Sequence, residues 1–167
     1  MDYGMIGKIE KAKRYAQERK RITFNNLDAQ FRGDHNNYQM LLNAEGWNCT
    51  CPGYQAHGIC PHVMAMERLL RPMLKREPLP YAVGQNVVSD VEKAKRYSEE
   101  TDRIQFASFD VTFDGENSAH HTSYHDGAWD CDCSFFHSRH VCSHTMAMER
   151  ILGSMITAAA PVAANGR

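Results

Sequence analysis

Residues 6–70 align with residues 88–152 without a gap at a constant offset of 82, and 24 of the 65 pairs are identical. Within that duplication Cys49, Cys51, Cys60 and His62 spell C-x-C-x8-C-x-H, and Cys131, Cys133, Cys142 and His144 spell it again. The two strings use all six cysteines of the chain. Such a chain folds twice around the same kind of point. Three thiolates and one imidazole fill the tetrahedron of a Zn²⁺ ion and leave no open position. Two residues apart on an extended strand, side chains point the same way about 6.6 Å apart. Rotamers can close that gap to the roughly 3.8 Å sulfur–sulfur edge that Zn–S bonds of about 2.3 Å imply. Disulfides fit less well, because a bridge within C-x-C is a strained ring. The start of the chain also lacks the basic and apolar regions of a secretory signal, so a reducing compartment is expected. The prediction is two zinc ions per chain.

The repeat reaches well beyond the ligands. Glu10-Lys11-Ala12-Lys13-Arg14-Tyr15 returns as Glu92-Lys93-Ala94-Lys95-Arg96-Tyr97, and Met64-Ala65-Met66-Glu67-Arg68 returns as Met146-Ala147-Met148-Glu149-Arg150. Each copy reads as an opening helix with Ile9, Ala12 and Ala16 on its apolar face. In the second copy Ser89-x-x-Glu92 has the form of a capping box. A strand follows through Ile22, Phe24, Leu27, Ala29 and Phe31, with a phase slip at Asn25-Asn26 that predicts a bulge. Gly33 or Gly115 opens a turn into a second strand. A turn near Glu45-Gly46 or Asp126-Gly127 leads to a third strand, Trp47-x-Cys49-x-Cys51. Cys60-Pro61 starts the last helix, with Pro suited to a first turn. Gly153 is its expected stop in the second copy.

A length of 167 residues with 43% hydrophobic content suits a folded protein of one ordinary domain or two small ones. The fold expected is α+β: two tandem zinc-finger units, each a helix, a three-stranded antiparallel sheet and a helix. The first unit spans 1–70, a linker with Pro72, Pro78, Pro80 and Gly84 spans 71–87, and the second unit spans 88–152. The tail 153–167, rich in Ala, is expected to be disordered. No stretch is long and apolar enough to cross a membrane.

The ligand string, preceded by strands and running straight into a helix, resembles the SWIM-type zinc finger at every ligand position in both copies. That resemblance implies zinc bound by Cys49, Cys51, Cys60 and His62 and by Cys131, Cys133, Cys142 and His144. It also implies a role in nucleic-acid or protein interaction. A CDGSH-like iron–sulfur centre is the rival, since three Cys and one His also hold a [2Fe–2S] cluster. There, however, the His follows the last Cys by four residues, and here by two with a helix after it.

Charge divides the repeats. Residues 6–70 carry nine Lys/Arg against six Asp/Glu, a net +3, whereas 88–152 carry six against twelve, a net −6. The basic excess gathers in Lys11, Lys13, Arg14, Arg19, Lys20, Arg21 and Arg32, the candidate nucleic-acid contacts, because phosphate binding rests on clustered cations. The acidic repeat repels phosphates. His57, His137 and His140 lie between ligand cysteines without matching across the repeat, so they read as loop histidines. Trp47 and Trp129 read as core over each site. No Gly-rich phosphate loop or nucleophile–base pair is legible, and a saturated metal is no Lewis acid. The expected function is therefore a non-catalytic adaptor in a larger protein or protein–nucleic-acid assembly. Protein partners are expected, with no membrane and no small-molecule substrate. Direct DNA or RNA binding through the first repeat is the alternative. The expected location is the cytoplasm, or the nucleus of a eukaryote.

Overall fold

A computed structural model describes residues 3–156. Each repeat contributes a helix, three strands, a short helix and a longer helix. In the first these are α1 (Tyr3–Gln17), β1 (Ile22–Arg32), β2 (Asn37–Asn43), β3 (Gly46–Cys49), α2 (Pro52–His57) and α3 (Pro61–Leu70). In the second they are α4 (Val87–Glu99), β4 (Ile104–Asp114), β5 (Ala119–His125), β6 (Ala128–Cys131), α5 (Ser134–Arg139) and α6 (Ser143–Leu152). The α+β class is as expected.

The two sets of three strands join in one six-stranded antiparallel sheet of order β3-β2-β1-β4-β5-β6. The join is β1 against β4, and its register is symmetric: Ile22 faces Phe113 while Phe31 faces Ile104, and Leu27 faces its own counterpart Phe109. Neither long strand is an edge, so both keep alternate residues buried. On β1 these are Ile22, Phe24, Leu27, Ala29 and Phe31; on β4 they are Ile104, Phe106, Phe109, Val111 and Phe113. The register shifts between Phe24 and Asn26 and again between Asp28 and Ala29. The first shift is the bulge predicted from the phase slip. The second leaves Ala107, the counterpart of Asn25, as the extra residue of β4. With one bulge in each strand, the symmetry survives.

The helices cross between repeats. α1 packs against α6 and α4 against α3. The opening helix of each repeat thus covers the closing helix of the other. Ala12 and Tyr15 are the buried residues of α1, and Ala94 and Tyr97 those of α4. Ile9, expected on the apolar face, stands exposed instead. The apolar face of α1 is narrow because it meets a single helix.

Several boundaries differ from those read in the sequence. α4 begins ahead of Ser89: Asn86 is its N-cap, and its side chain accepts the Ser89 N–H at 3.2 Å. The third strand ends at Cys49 in the first repeat, and Cys51 caps α2, a helix too short to leave a periodic cue. The start of the tail is ordered. Gly153–Met155 forms a 3₁₀ turn, Ile156 bridges Phe106, and Gln105 Nε2 donates to the Ser154 carbonyl at 3.0 Å. Residues 157–167 lie outside the described part. Gly153 ends α6 with φ of 54°, a left-handed backbone that suits glycine. No helix among the described residues is long and apolar enough to cross a membrane.

Candidate metal centres

Each centre is assembled from a hairpin, a short helix and the start of a longer one. β3 delivers Cys49 and its end delivers Cys51; β6 and its end deliver Cys131 and Cys133. Cys60 and Cys142 are the N-caps of α3 and α6, and His62 and His144 fall in the first turn of those helices. In both sets one ligand atom per residue lies within 4.8 Å of all the others, and all eight residues are buried. Both histidines turn Nδ1 inward: it lies 3.8 Å from Cys49 Sγ in the first site, and 3.6 and 3.7 Å from Cys131 and Cys142 Sγ in the second. These separations match the edges of a tetrahedron with bonds of about 2.0–2.3 Å. A two-iron cluster would hold its ligands as two pairs set farther apart, so the geometry favours a single ion.

The backbone prepares the sulfurs for charge. Cys60 Sγ accepts the Val63 N–H at 3.4 Å, Cys142 Sγ accepts the Thr145 N–H at 3.4 Å, and Cys51 Sγ accepts the Tyr54 N–H at 3.3 Å. Amides at helix starts favour thiolate. Sulfurs this crowded nevertheless resist ionising together. A hydrogen bond to Cys51 pushes Cys49 up to about 11, and hydrogen bonds to Cys49 and Cys51 push Cys60 up as well. Cys51, held chiefly by Cys49, is pushed down. In the second site the bond to Cys142 pushes Cys131 up to about 12 and brings Cys142 down, while burial pushes Cys133 up. A divalent cation resolves the conflict by replacing shared protons with positive charge. The donor set fits zinc.

The outer face of each imidazole is covered by the other repeat. Tyr97 of α4 stacks on His62 with centroids 5.6 Å apart and 9° between planes; Tyr15 of α1 stacks on His144 at 5.9 Å and 20°. Arg96 and Arg103 lie over Tyr97 at 4.8 and 4.9 Å, and Arg14 and Arg21 lie over Tyr15 at 5.7 and 5.1 Å. The guanidiniums are in turn fixed across the repeat boundary. Arg96 and Arg103 reach Asp34 at 3.1 and 3.0 Å, and Arg14 reaches Glu116 at 2.6 Å. This relay of carboxylate, arginine, tyrosine and ligand histidine escaped the sequence reading. The recurrence of Arg14, Tyr15 and Arg21 as Arg96, Tyr97 and Arg103 was its visible trace.

That relay also places the basic residues of the first repeat. Lys11 pairs with Glu116 at 3.7 Å, Lys13 with Glu10 at 3.5 Å, Arg21 with Glu18 at 2.6 Å and Arg32 with Asp102 at 3.1 Å. With Arg14, five of the seven candidates hold carboxylates of this chain. Arg19 and Lys20 sit on the 3₁₀ turn Arg19–Arg21 that joins α1 to β1, and make no ion pair among the described residues. His57, His137 and His140 lie outside both ligand sets. Trp47 is buried and Trp129 half-buried, both packed with the core as expected. Trp47 Nε1 is buried without a hydrogen-bond acceptor.

Two buried, saturated Cys3His sets on one sheet define a double zinc-finger protein with one zinc ion per set. The sequence pattern of the SWIM zinc finger family matches residues 30–70 and 109–153, more than half of the chain. The chain belongs to the SWIM zinc finger family. Neither a curated protein nor a solved structure matches the chain significantly.

Proposed function

We propose that the chain is a non-catalytic zinc-binding adaptor that mediates protein–protein contacts within a larger protein or protein–nucleic-acid assembly. One observation carries this reading: each metal set supplies four buried protein ligands, so zinc here has no position to offer a substrate or water. Its chemistry is used up in holding hairpin to helix. What remains for function is surface. The two repeats differ in net charge along the sequence while the ligand sets coincide, which supports different faces on one scaffold.

Direct DNA or RNA binding is the second reading, and Arg19 and Lys20 are the residues that keep it in play. The other five candidates carry ion pairs at exposed or half-exposed side chains. Such pairs are weak individually, yet they lower the net positive potential a phosphate would meet. Affinity capture from the native source, with and without nuclease, separates the two readings. Partners that survive nuclease support the adaptor. Partners that vanish with nuclease, together with oligonucleotide binding that weakens in Arg19→Glu/Lys20→Glu, would replace it with nucleic-acid recognition.

A further inference from the structure

Besides Arg19 and Lys20, a second group of basic side chains makes no ion pair among the described residues. Between α3, α4 and the linker that joins them runs a groove of about 630 Å³. Its rim carries Arg68, Arg71, Arg76 and Lys95. None of the four makes an ion pair among the described residues, and their side chains make a single, long hydrogen bond there, from Arg76 Nη2 to the Asn43 carbonyl at 3.4 Å. The acid in the lining, Glu67, is half-buried and already accepts the Leu79 N–H at 2.8 Å, so it does not answer the rim. The lining also includes apolar side chains: Met64, Leu79, Tyr81 and Val91. Tyr81 and Val91 are 60% and 40% exposed, and Val83 and Val88, next to them along the chain, are 101% and 71% exposed.

The residues that carry the groove's charge differ in the other half. There α6 and α1 take the places of α3 and α4, Gly153 stands where Arg71 does, and Lys13, the counterpart of Lys95, is tied to Glu10 at 3.5 Å. The two repeats therefore share the metal sites and differ at these positions.

We infer that the groove between α3, α4 and the linker docks a short segment of a partner protein in which Asp or Glu residues alternate with aliphatic or aromatic ones. The apolar side chains take up the partner's apolar residues, and the four cations meet its carboxylates. This complementarity sets both partner choice and encounter rate. Clustering of the cations around one apolar concavity favours a peptide over a nucleic-acid backbone, which is tracked by a stripe of charge. The inference rests on the adaptor reading and names the class of partner.

The test uses the full zinc-loaded chain and a display library of short random peptides. Selected peptides should be enriched in acids interleaved with apolar residues. The tightest one, measured by fluorescence anisotropy, should lose about tenfold or more in affinity in Arg68→Glu/Arg71→Glu. Its affinity should be unchanged in Arg19→Glu/Lys20→Glu and should weaken as salt rises. The melting transition and zinc content of the Arg68/Arg71 variant should match the parent, which separates lost docking from lost fold. Enrichment of basic or uncharged peptides, or acidic peptides indifferent to Arg68 and Arg71, would overturn the groove while leaving the adaptor reading standing. No peptide enriched, and no nuclease-resistant partner captured, would remove both. An oligonucleotide that binds more tightly than any peptide and depends on the same two arginines would assign the groove to phosphate.

Discussion

The two metal centres share ligands, spacing and backbone, yet they sit differently in the molecule. Cys49, Cys51 and Cys60 belong to the same continuous core as Phe24, Phe31, Phe106 and Phe113. Cys131, Cys133 and Cys142 form a small separate cluster with Phe136, against which Trp129 and Phe135 pack. Their immediate neighbours diverge too. Met40, Val63 and Tyr38 surround the first site, and Thr122, Thr145 and His120 hold the matching places in the second. Thr122 Oγ1 lies 3.4 Å from Cys131 Sγ, and Thr145 Oγ1 accepts the Cys142 N–H at 3.1 Å. A groove of about 280 Å³ lined by Lys8, Lys11 and Phe135 also reaches Cys133 and Cys142. The first site's cysteines belong to the main core, whereas those of the second form a smaller cluster that meets it through His144 against Tyr15 and Phe113. Identical ligand strings thus do not imply equal consequences when a ligand is lost.

The largest difference should appear on removing a ligand from each site. Cys60→Ala is expected to abolish the cooperative melting transition, because a structural zinc ion can contribute on the order of 10–16 kcal/mol to folding and this one lies inside the shared core. Cys142→Ala should retain one zinc and a folded sheet with a lower midpoint. Elemental analysis with thermal melting followed by circular dichroism checks both. Equal collapse in the two variants would erase the distinction drawn here. Next in size is the order of metal loss. Under a chelator, zinc should leave in two phases, the faster from the second site, and amide signals of α5 should broaden before those of α2.

Proton release sharpens the comparison further. Cys49 and Cys60 in one site, and Cys131 and Cys133 in the other, have pKa values raised above that of a free thiol. A raised pKa keeps the thiol protonated at neutral pH, and metal binding must displace that proton. Zinc uptake at pH 7 should therefore release at least two protons per ion, and affinity should fall as pH falls. Calorimetry in buffers of different ionisation enthalpy measures the count, and release of none would mean the thiolates are already formed.

A smaller effect is expected where α2 and α5 end. Gly58 holds φ of 74°, and His140 holds the same left-handed conformation at 61°. Replacing His140 by Gly should stabilise the second half by about 1 kcal/mol, and Gly58→Ala should destabilise the first by a similar amount. Smallest of all, Asp34→Asn should lower the midpoint slightly more than Glu116→Gln. Asp34 meets Arg96, Arg103 and the Tyr97 hydroxyl, whereas the Glu116 carboxylate meets Arg14 and Lys11. Reversal of that order would mean that the number of partners a carboxylate meets does not set its contribution.

The sequence was most readable where a single stretch decides the outcome. Eight ligands, the bulge near Asn25, the Pro61 helix start and the Gly153 stop all follow from local spacing and backbone preference. What stayed hidden depends on contacts between distant segments. Nothing in Ile22–Arg32 says that its free edge will pair with Ile104–Asp114, since a buried alternation looks the same beside any neighbour. Exposed Ile9 was misplaced because a helix face tells where apolar residues lie, not which helix covers them. The basic residues of α1 suggested a phosphate surface, and only the crossing of helices puts Glu116 beside Arg14 and Lys11. α2 and α5 were missed because six residues are too short for a periodic signal.

The crossing of α1 and α4 bears on descent. A single repeat, alone, would leave β1 an open edge and its ligand histidine without the tyrosine that stacks on it. Two separate copies related by a twofold axis between the paired Leu27 and Phe109 positions would supply both. A chain of half this length would thus have to pair, with each subunit's fold depending on the concentration of the other. Fusing the copies end to end fixed that local concentration permanently. It also released the halves from identity: once no longer encoded by one message, one could lose charge symmetry and acquire a groove without imposing either on its twin.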